Sequence, residues 1–135
     1  MSDDALRLLR AARAAEKEQA LFYRSLTGQA EDRRDAPLAE RLNGLLADEQ
    51  HHLSRITARI LELGHAVDDL ADMATPAVSL DGWETVARER ERVEVARYEA
   101  LLATPLDDVT RGLIEDILVT ERNHERELGG KWMMA

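Results

Sequence analysis

Two pairs of side chains in this sequence have the spacing of metal ligands. Glu49 and His52 are three residues apart, and Glu121 and His124 repeat that spacing near the end of the chain. In a helix, residues three apart lie on the same face. A carboxylate and an imidazole are costly to bury in an apolar face unless something binds them, and a metal ion would bind both. The two pairs therefore predict a buried metal site.

Both pairs interrupt stripes of apolar residues at helical spacing. The apolar members around the first pair are Leu38, Leu42, Leu45, Ile56 and Leu63. Two other stripes are interrupted by Glu16 and Glu91, and each glutamate is followed seven residues later by a tyrosine, Tyr23 or Tyr98. This internal repeat predicts two helical hairpins with the same polar residues at the same depth.

The chain as a whole has the composition of an all-α protein. Its 135 residues suit one domain with one core, and helix-favouring residues dominate its periodic stretches. Helices are predicted over residues 3–27, 37–63, 81–102 and 105–128. A short turn joins the first two helices, and a long crossover, residues 65–80, leads to the third. The expected fold is a four-helix bundle of two antiparallel hairpins.

Local signals predict where these helices begin and end. The expected caps are Ser2, Asp35, Asp81 with Glu84 in a capping box, and Thr104, and the expected stops are Gly28 and Gly64. Residues 67–73 of the crossover are predicted either to be irregular or to form a short helix. The tail, with Trp132 and two methionines, is expected to fold back on the bundle.

In such a bundle the middles of the four helices meet, so the interrupting residues converge. Four carboxylates balance two divalent ions, and one imidazole per ion favours iron or manganese over softer metals. Glu94, three residues after Glu91, is either a further ligand, which we favour, or an outward-facing charge. The predicted ligands are Glu16, Glu49, His52, Glu91, Glu94, Glu121 and His124. The alternative, a plain bundle with charges on its surface, is disfavoured by two pairs in phase with apolar stripes.

Residues near the predicted ligands have supporting roles. Tyr23 and Tyr98 are expected either to hydrogen-bond to ligand carboxylates or to be packing residues of the core, and not to carry radicals. Asp48 and His51 lie off the apolar stripe, so both are expected to face solvent or to support a ligand from behind. No side-chain nucleophile is needed for chemistry at such a site.

Charge and composition exclude several other classes of function. The net charge of −9 disfavours binding to nucleic acid or to an anionic membrane. The absence of cysteine excludes disulfides, iron–sulfur clusters and zinc–thiolate sites. Neither a signal peptide nor an apolar run of membrane-spanning length is visible, so a cytoplasmic protein is expected.

Three stretches resemble the rubrerythrin family of the ferritin-like superfamily. EKEQALFY at Glu16–Tyr23 and ADEQHHL at Ala47–Leu53 are similar to its first- and second-helix signatures. Glu91 with Glu94 is similar to the E-x-x-E of its third helix. The resemblance implies a ferritin-like bundle that holds two iron ions and reduces hydrogen peroxide. Manganese or a mixed metal pair would also fit.

The resemblance also implies how such a protein would work and assemble. Glu94 and His52 would exchange as ligands of one iron when its redox state changes. A homodimer is implied, with the option that hairpins are exchanged through the Val67–Leu80 linker. Without cysteine there is no rubredoxin domain, so a rubredoxin-like external donor is expected to supply electrons.

Other activities of the superfamily define the alternatives. Gln50 stands where bacterioferritin has its haem-binding methionine, so no haem is expected. An iron-binding module that oxidises or stores iron is the second hypothesis for function. A bundle whose metal site is purely structural is the third.

Overall fold

The computed structural model describes residues 1–131, and these form a bundle of four α-helices. The helices are α1 (Asp3–Asp32), α2 (Ala36–Glu62), α3 (Trp83–Leu102) and α4 (Asp108–Arg126), followed by a π-helical turn (Glu127–Lys131). No β-strand occurs within residues 1–131. The prediction of an all-α four-helix bundle is confirmed. The tail from Trp132 to Ala135, which was expected to fold back, lies outside the described residues.

The helices pack as two hairpins side by side. Helix α1 packs along α2 and α3 packs along α4, while α1 also lies beside α3 and α2 beside α4. The crossover between the hairpins is irregular and contains only a turn at residues 71–72, so the short helix considered for residues 67–73 does not form. Arg10 and Arg13 of α1 donate hydrogen bonds to the backbone carbonyls of Ala66 and Asp68 and hold the crossover against the bundle.

Two apolar clusters fill the bundle, and a layer of buried polar side chains lies between them. One cluster includes Phe22, Leu26, Leu42, Leu45 and Trp83. The other includes Leu9, Ile56, Leu101, Ile114 and Ile117. On each helix the buried glutamates and histidines fall between these two groups, so the core is apolar above and below the candidate site.

The first hairpin differs from its prediction at one helix end. Ser2 and Asp35 cap α1 and α2 as predicted, and Gly64 follows α2 with a φ of 85°. Gly28, however, does not end α1, which continues to Asp32. Gln29 explains the extension, because its side chain hydrogen-bonds to the crossover backbone at Val78 and Leu80 and fixes this last turn.

The second hairpin differs at both helix starts. The predicted capping box at Asp81 is wrong: α3 begins at Trp83 after left-handed Gly82, without a side-chain cap. Thr104 is also not a cap, since its hydroxyl donates to the carbonyl of Leu101. Asp107 caps α4 instead, accepting a hydrogen bond of 2.8 Å from the backbone of Thr110.

No helix among the described residues is both long enough and apolar enough to cross a bilayer.

Candidate metal centre

Six of the predicted ligands converge in the middle of the bundle as two overlapping groups. The first group, called here the His52 set, contains Glu16, Glu49, His52 and Glu121. The second group, called the His124 set, contains Glu49, Glu91, Glu121 and His124. In each group one ligand atom per residue lies within 4.8 Å of all the others. Either group can therefore hold a metal ion, and Glu49 and Glu121 are shared between the two.

All six residues are removed from solvent. The four glutamates are fully buried, and the two histidines are only 3% and 4% exposed. Each helix brings its glutamate to the same level because the apolar residues before and after it pack into the two clusters described above. Four carboxyl groups meeting in a buried volume repel one another unless protons or cations neutralise them.

The two imidazoles present the same nitrogen to the carboxylates. Nδ1 of His52 lies 3.4 Å from carboxylate oxygens of Glu16 and Glu121. Nδ1 of His124 lies 3.4 Å from carboxylate oxygens of Glu91 and Glu121. Both imidazoles are thus oriented to offer Nδ1 as a ligand to an ion among these oxygens.

Eight polar atoms in this layer are buried without a hydrogen-bond partner. They are Oε1 of Glu16, both carboxylate oxygens of Glu49 and Glu121, Oε2 of Glu91, and Nδ1 of His52 and His124. A buried polar atom without a partner costs about 1–3 kcal/mol, so such atoms are rare in native proteins. Their convergence from six residues fits cation binding, because a bound ion would satisfy them together.

Burial displaces the pKa values of the carboxyl groups. Burial, reinforced by the charge of Glu121, raises the pKa of Glu91 to about 8 and that of Glu49 well above its usual range. Burial also raises the pKa of Glu16. For Glu121, burial acts in the same direction, but the contacts with His124 and His52 outweigh it and hold the pKa below its usual value. Without metal, protons are therefore retained in the layer.

The pKa values of the two histidines are also displaced, and both are raised. Burial lowers the pKa of His52, but the contacts with Glu121 and Glu16 outweigh burial and raise the pKa to about 9. For His124, contacts with Asp48, Glu121 and Glu91 outweigh burial and raise the pKa to about 12. Binding a divalent ion at either set would have to displace these protons.

Three side chains beside the ligands hold them through hydrogen bonds. The Tyr23 hydroxyl donates to Glu91 Oε1 at 2.7 Å, and the Tyr98 hydroxyl donates to Glu16 Oε2. Gln19 donates a longer hydrogen bond, 3.4 Å, to the same oxygen of Glu91. Gln19 was not predicted from the sequence to support a ligand, although its position three residues after Glu16 matches that of Glu94 after Glu91.

Asp48 and His51, adjacent to the α2 pair, behave differently from each other. Asp48 is half exposed, and its Oδ2 lies 2.8 Å from Nε2 of His124. It thus supports the predicted ligand His124 from behind, one of its two expected roles. His51 faces solvent.

Glu94 lies next to the two sets but in neither of them. Its side chain is 6% exposed, so it is not the outward-facing charge considered above, and its Oε1 lies 3.7 Å from Nε of Arg97. Burial and the charge of Glu16 raise its pKa to about 8, and Arg97 opposes that rise. A ligand role for Glu94 stays a prediction.

Comparison with known proteins does not assign a family or a function to this chain. Models of known protein families gave no match to this chain, and curated protein sequences gave none either. The case for a function therefore depends on the geometry and the donor atoms of the site.

Proposed function

We propose that this protein binds two iron ions between α1, α2, α3 and α4 and acts as a rubrerythrin-type oxidoreductase that reduces hydrogen peroxide. The observation that carries the proposal is the set of eight buried, unpartnered donor atoms that converge from six residues. Oxygen-rich sites with one imidazole per metal suit iron or manganese. Four carboxylates also match the charge of two divalent ions.

The protein's own residues would hold the ions and order their surroundings. Glu49 and Glu121 belong to both sets and would contribute oxygens to both ions, while Glu16 and Glu91 would each contribute to one. Bound iron would supply one-electron redox changes at two adjacent positions. The reduction of peroxide to two waters consumes two electrons and two protons, and a rubredoxin-like external donor would provide the electrons.

The hydrogen bonds around the site support this assignment. Metal-binding histidines usually have a carboxylate or carbonyl on the nitrogen that does not face the metal. Asp48 is placed in this way on His124. The two tyrosine hydroxyls, each donating to a terminal carboxylate, would fix the orientation of those ligands.

Metal analysis followed by separate oxidant titrations tests the proposal. The purified protein should contain two iron ions per chain, and the anaerobically reduced protein should oxidise faster with peroxide than with dioxygen. His52→Ala should lower the iron content, while His51→Ala, a change at the exposed neighbouring histidine, should leave it unchanged. No metal in the purified protein, and none taken up on reconstitution, would refute the proposal.

The same titration distinguishes the proposed function from the two other functions that the sequence leaves open. Faster oxidation by dioxygen than by peroxide, together with a large cage-like assembly, would favour the iron-oxidising or iron-storing module. Metal that binds without reacting with either oxidant would favour a structural site. The homodimer implied by the family resemblance stays a prediction, and the mass of the protein in solution would test it.

A further inference from the structure

A small cavity opens between α1 and α3, on the face of the bundle away from the Asp48–His124 contact. Its volume is about 150 Å³, and its lining includes Gln19, Arg90, Val93, Glu94 and Arg97. A water molecule takes about 30 Å³ in the liquid, so the cavity holds a few water-sized groups. Sites for drug-sized ligands are larger, from about 300 Å³. This cavity therefore fits a ligand of a few non-hydrogen atoms rather than a drug-sized one.

Two residues that line the cavity interact with members of the His52 set and the His124 set. Gln19 and Glu94 occupy corresponding positions, three residues after Glu16 and Glu91. Gln19 hydrogen-bonds to Glu91, which belongs to the His124 set. Glu94 lies close enough to Glu16, a member of the His52 set, for the two carboxylate charges to interact. A ligand in this cavity would thus approach the centre between its two halves.

Two polar atoms in the wall of the cavity have no hydrogen-bond partner. Oε2 of Glu94 and Nε of Arg97 are both buried and make no hydrogen bond. The 3.7 Å between Arg97 Nε and Glu94 Oε1 is too long for a hydrogen bond. Arg90 on the same wall is instead fixed by Gln19 and Glu18. A small polar molecule between Glu94 and Arg97 would satisfy both of their unpartnered atoms.

We propose that this cavity is the entrance through which a small polar ligand of peroxide size reaches the centre, with Glu94 and Arg97 as its polar gate. The inference rests on the metal-binding part of the proposed function and names the class of ligand that the site admits. It assigns a role to Arg97 that is independent of whether Glu94 itself ever binds a metal.

A second cavity, between α2 and α4, is the competing route. It is larger, about 320 Å³, and its lining includes Gly44, Asp48 and His124. There Asp48 already holds Nε2 of His124, whereas the other nitrogen, Nδ1, faces the carboxylates. A molecule in this cavity would therefore meet the far side of the imidazole and a hydrogen bond that is already formed.

Azide binding to the cobalt(II)-loaded protein tests the entrance without depending on turnover. Val93 is 49% exposed, so Val93→Trp should block the opening while leaving the core intact. Val119→Trp, on α4 at 58% exposed, is the matched control. Gly44→Trp blocks the competing cavity, where an added Cβ meets no atom within 4 Å. Circular dichroism and bound cobalt per chain verify that each variant folds and loads.

The expected result is a rate of azide binding that falls by at least about tenfold in Val93→Trp and changes less than about twofold in Val119→Trp and Gly44→Trp. Ala15→Phe, which blocks the same opening from α1, should reproduce the slowing. Unchanged rates of azide binding in Val93→Trp and Ala15→Phe would overturn the inference while leaving metal binding in place. Slowing that is confined to Gly44→Trp would do the same. Failure of the unaltered protein to bind cobalt would instead overturn the proposed function, and this inference with it.

Discussion

The His52 set and the His124 set contain the same kinds of ligand but have different support. The two sets share Glu49 and Glu121, and each adds one glutamate and one histidine. His124 is held from behind by Asp48, the residue before Glu49. The corresponding residue before Glu121 is Thr120, and within residues 1–131 no hydrogen bond joins it to His52.

The glutamate that belongs to only one set also has more support in the His124 set than in the His52 set. Glu91, in the His124 set, accepts hydrogen bonds from Tyr23 and from the Gln19 amide. Glu16, in the His52 set, accepts one from Tyr98, and the position that corresponds to Gln19 is occupied by another carboxyl group, Glu94. The repeat in the sequence therefore produces two sets that are similar in their side chains and unequal in the hydrogen bonds that hold them. We expect the His124 set to bind its ion more tightly.

The largest expected effect comes from removing what the two sets share. Glu121→Gln keeps the shape of the side chain but removes a carboxylate from both sets, so affinity should fall by more than about 100-fold at both, beyond the range for supporting residues. Calorimetric titration of the metal-free protein would measure this. Glu115→Gln, an exposed change on the same helix, is the control. Retention of one tight ion by Glu121→Gln would show that the sets do not share this ligand.

A smaller and one-sided effect is expected from Asp48. Asp48→Asn weakens the support of His124, so affinity at the His124 set should fall about 10- to 100-fold while the His52 set is unaffected. Thr120→Ala, at the corresponding position on α4, should change neither. Titration with cobalt(II), followed by absorption, resolves the two binding steps. Equal weakening of both steps would contradict the proposed difference between the sets.

The pH dependence of the metal-free protein should also separate the two histidines. His52 has its pKa raised to about 9, so its stabilising contribution is complete below pH 6.5 and is lost as pH rises through 9. The carboxyl groups of Glu91 and Glu94, with pKa values raised to about 8, act in the same direction because the folded state holds their protons more tightly. His124, at about 12, keeps its contribution throughout this range.

The metal-free protein should therefore lose thermal stability between pH 6.5 and 9. Melting curves across this range would measure the loss, and His52→Gln should make the decline shallower. Proton NMR should show His52 titrating and His124 remaining protonated. A melting temperature that rises with pH in the absence of metal would contradict the prediction.

The smallest expected effect distinguishes the tyrosines. Tyr23→Phe removes a hydrogen bond to Glu91 and should weaken the His124 set, whereas Tyr98→Phe removes one from Glu16 and should weaken the His52 set. Each loss should be about tenfold or less, the lower end of the range for supporting residues. The same two-step cobalt titration applies. If both variants weaken the same binding step, the assignment of Tyr23 to the His124 set and of Tyr98 to the His52 set is wrong.

Much of the fold could be predicted from local patterns. The apolar stripes specified four amphipathic helices, and the short turn and the long crossover specified their pairing into hairpins. Helix ends were less predictable, because they depended on distant contacts. Gln29 extends α1 by bonding to the crossover, and Arg59 of α2 bonds to Asp107, the cap of α4. No pattern within either segment reveals such partners.

The sequence by itself determined which residues interrupt each stripe, since helical spacing places an i and an i+3 residue on one face whatever the rest of the chain does. Only the tertiary structure decided how these residues divide into two sets. Glu49 and Glu121 belong to both sets because of the way in which the four helices pack. It also decided that Asp48 supports a histidine on another helix and that Glu94 faces a cavity beside Arg97. The Asp48–His124 contact and the cavity between α1 and α3 each bring together residues that are far apart in the chain, and only the packing of the helices can do this.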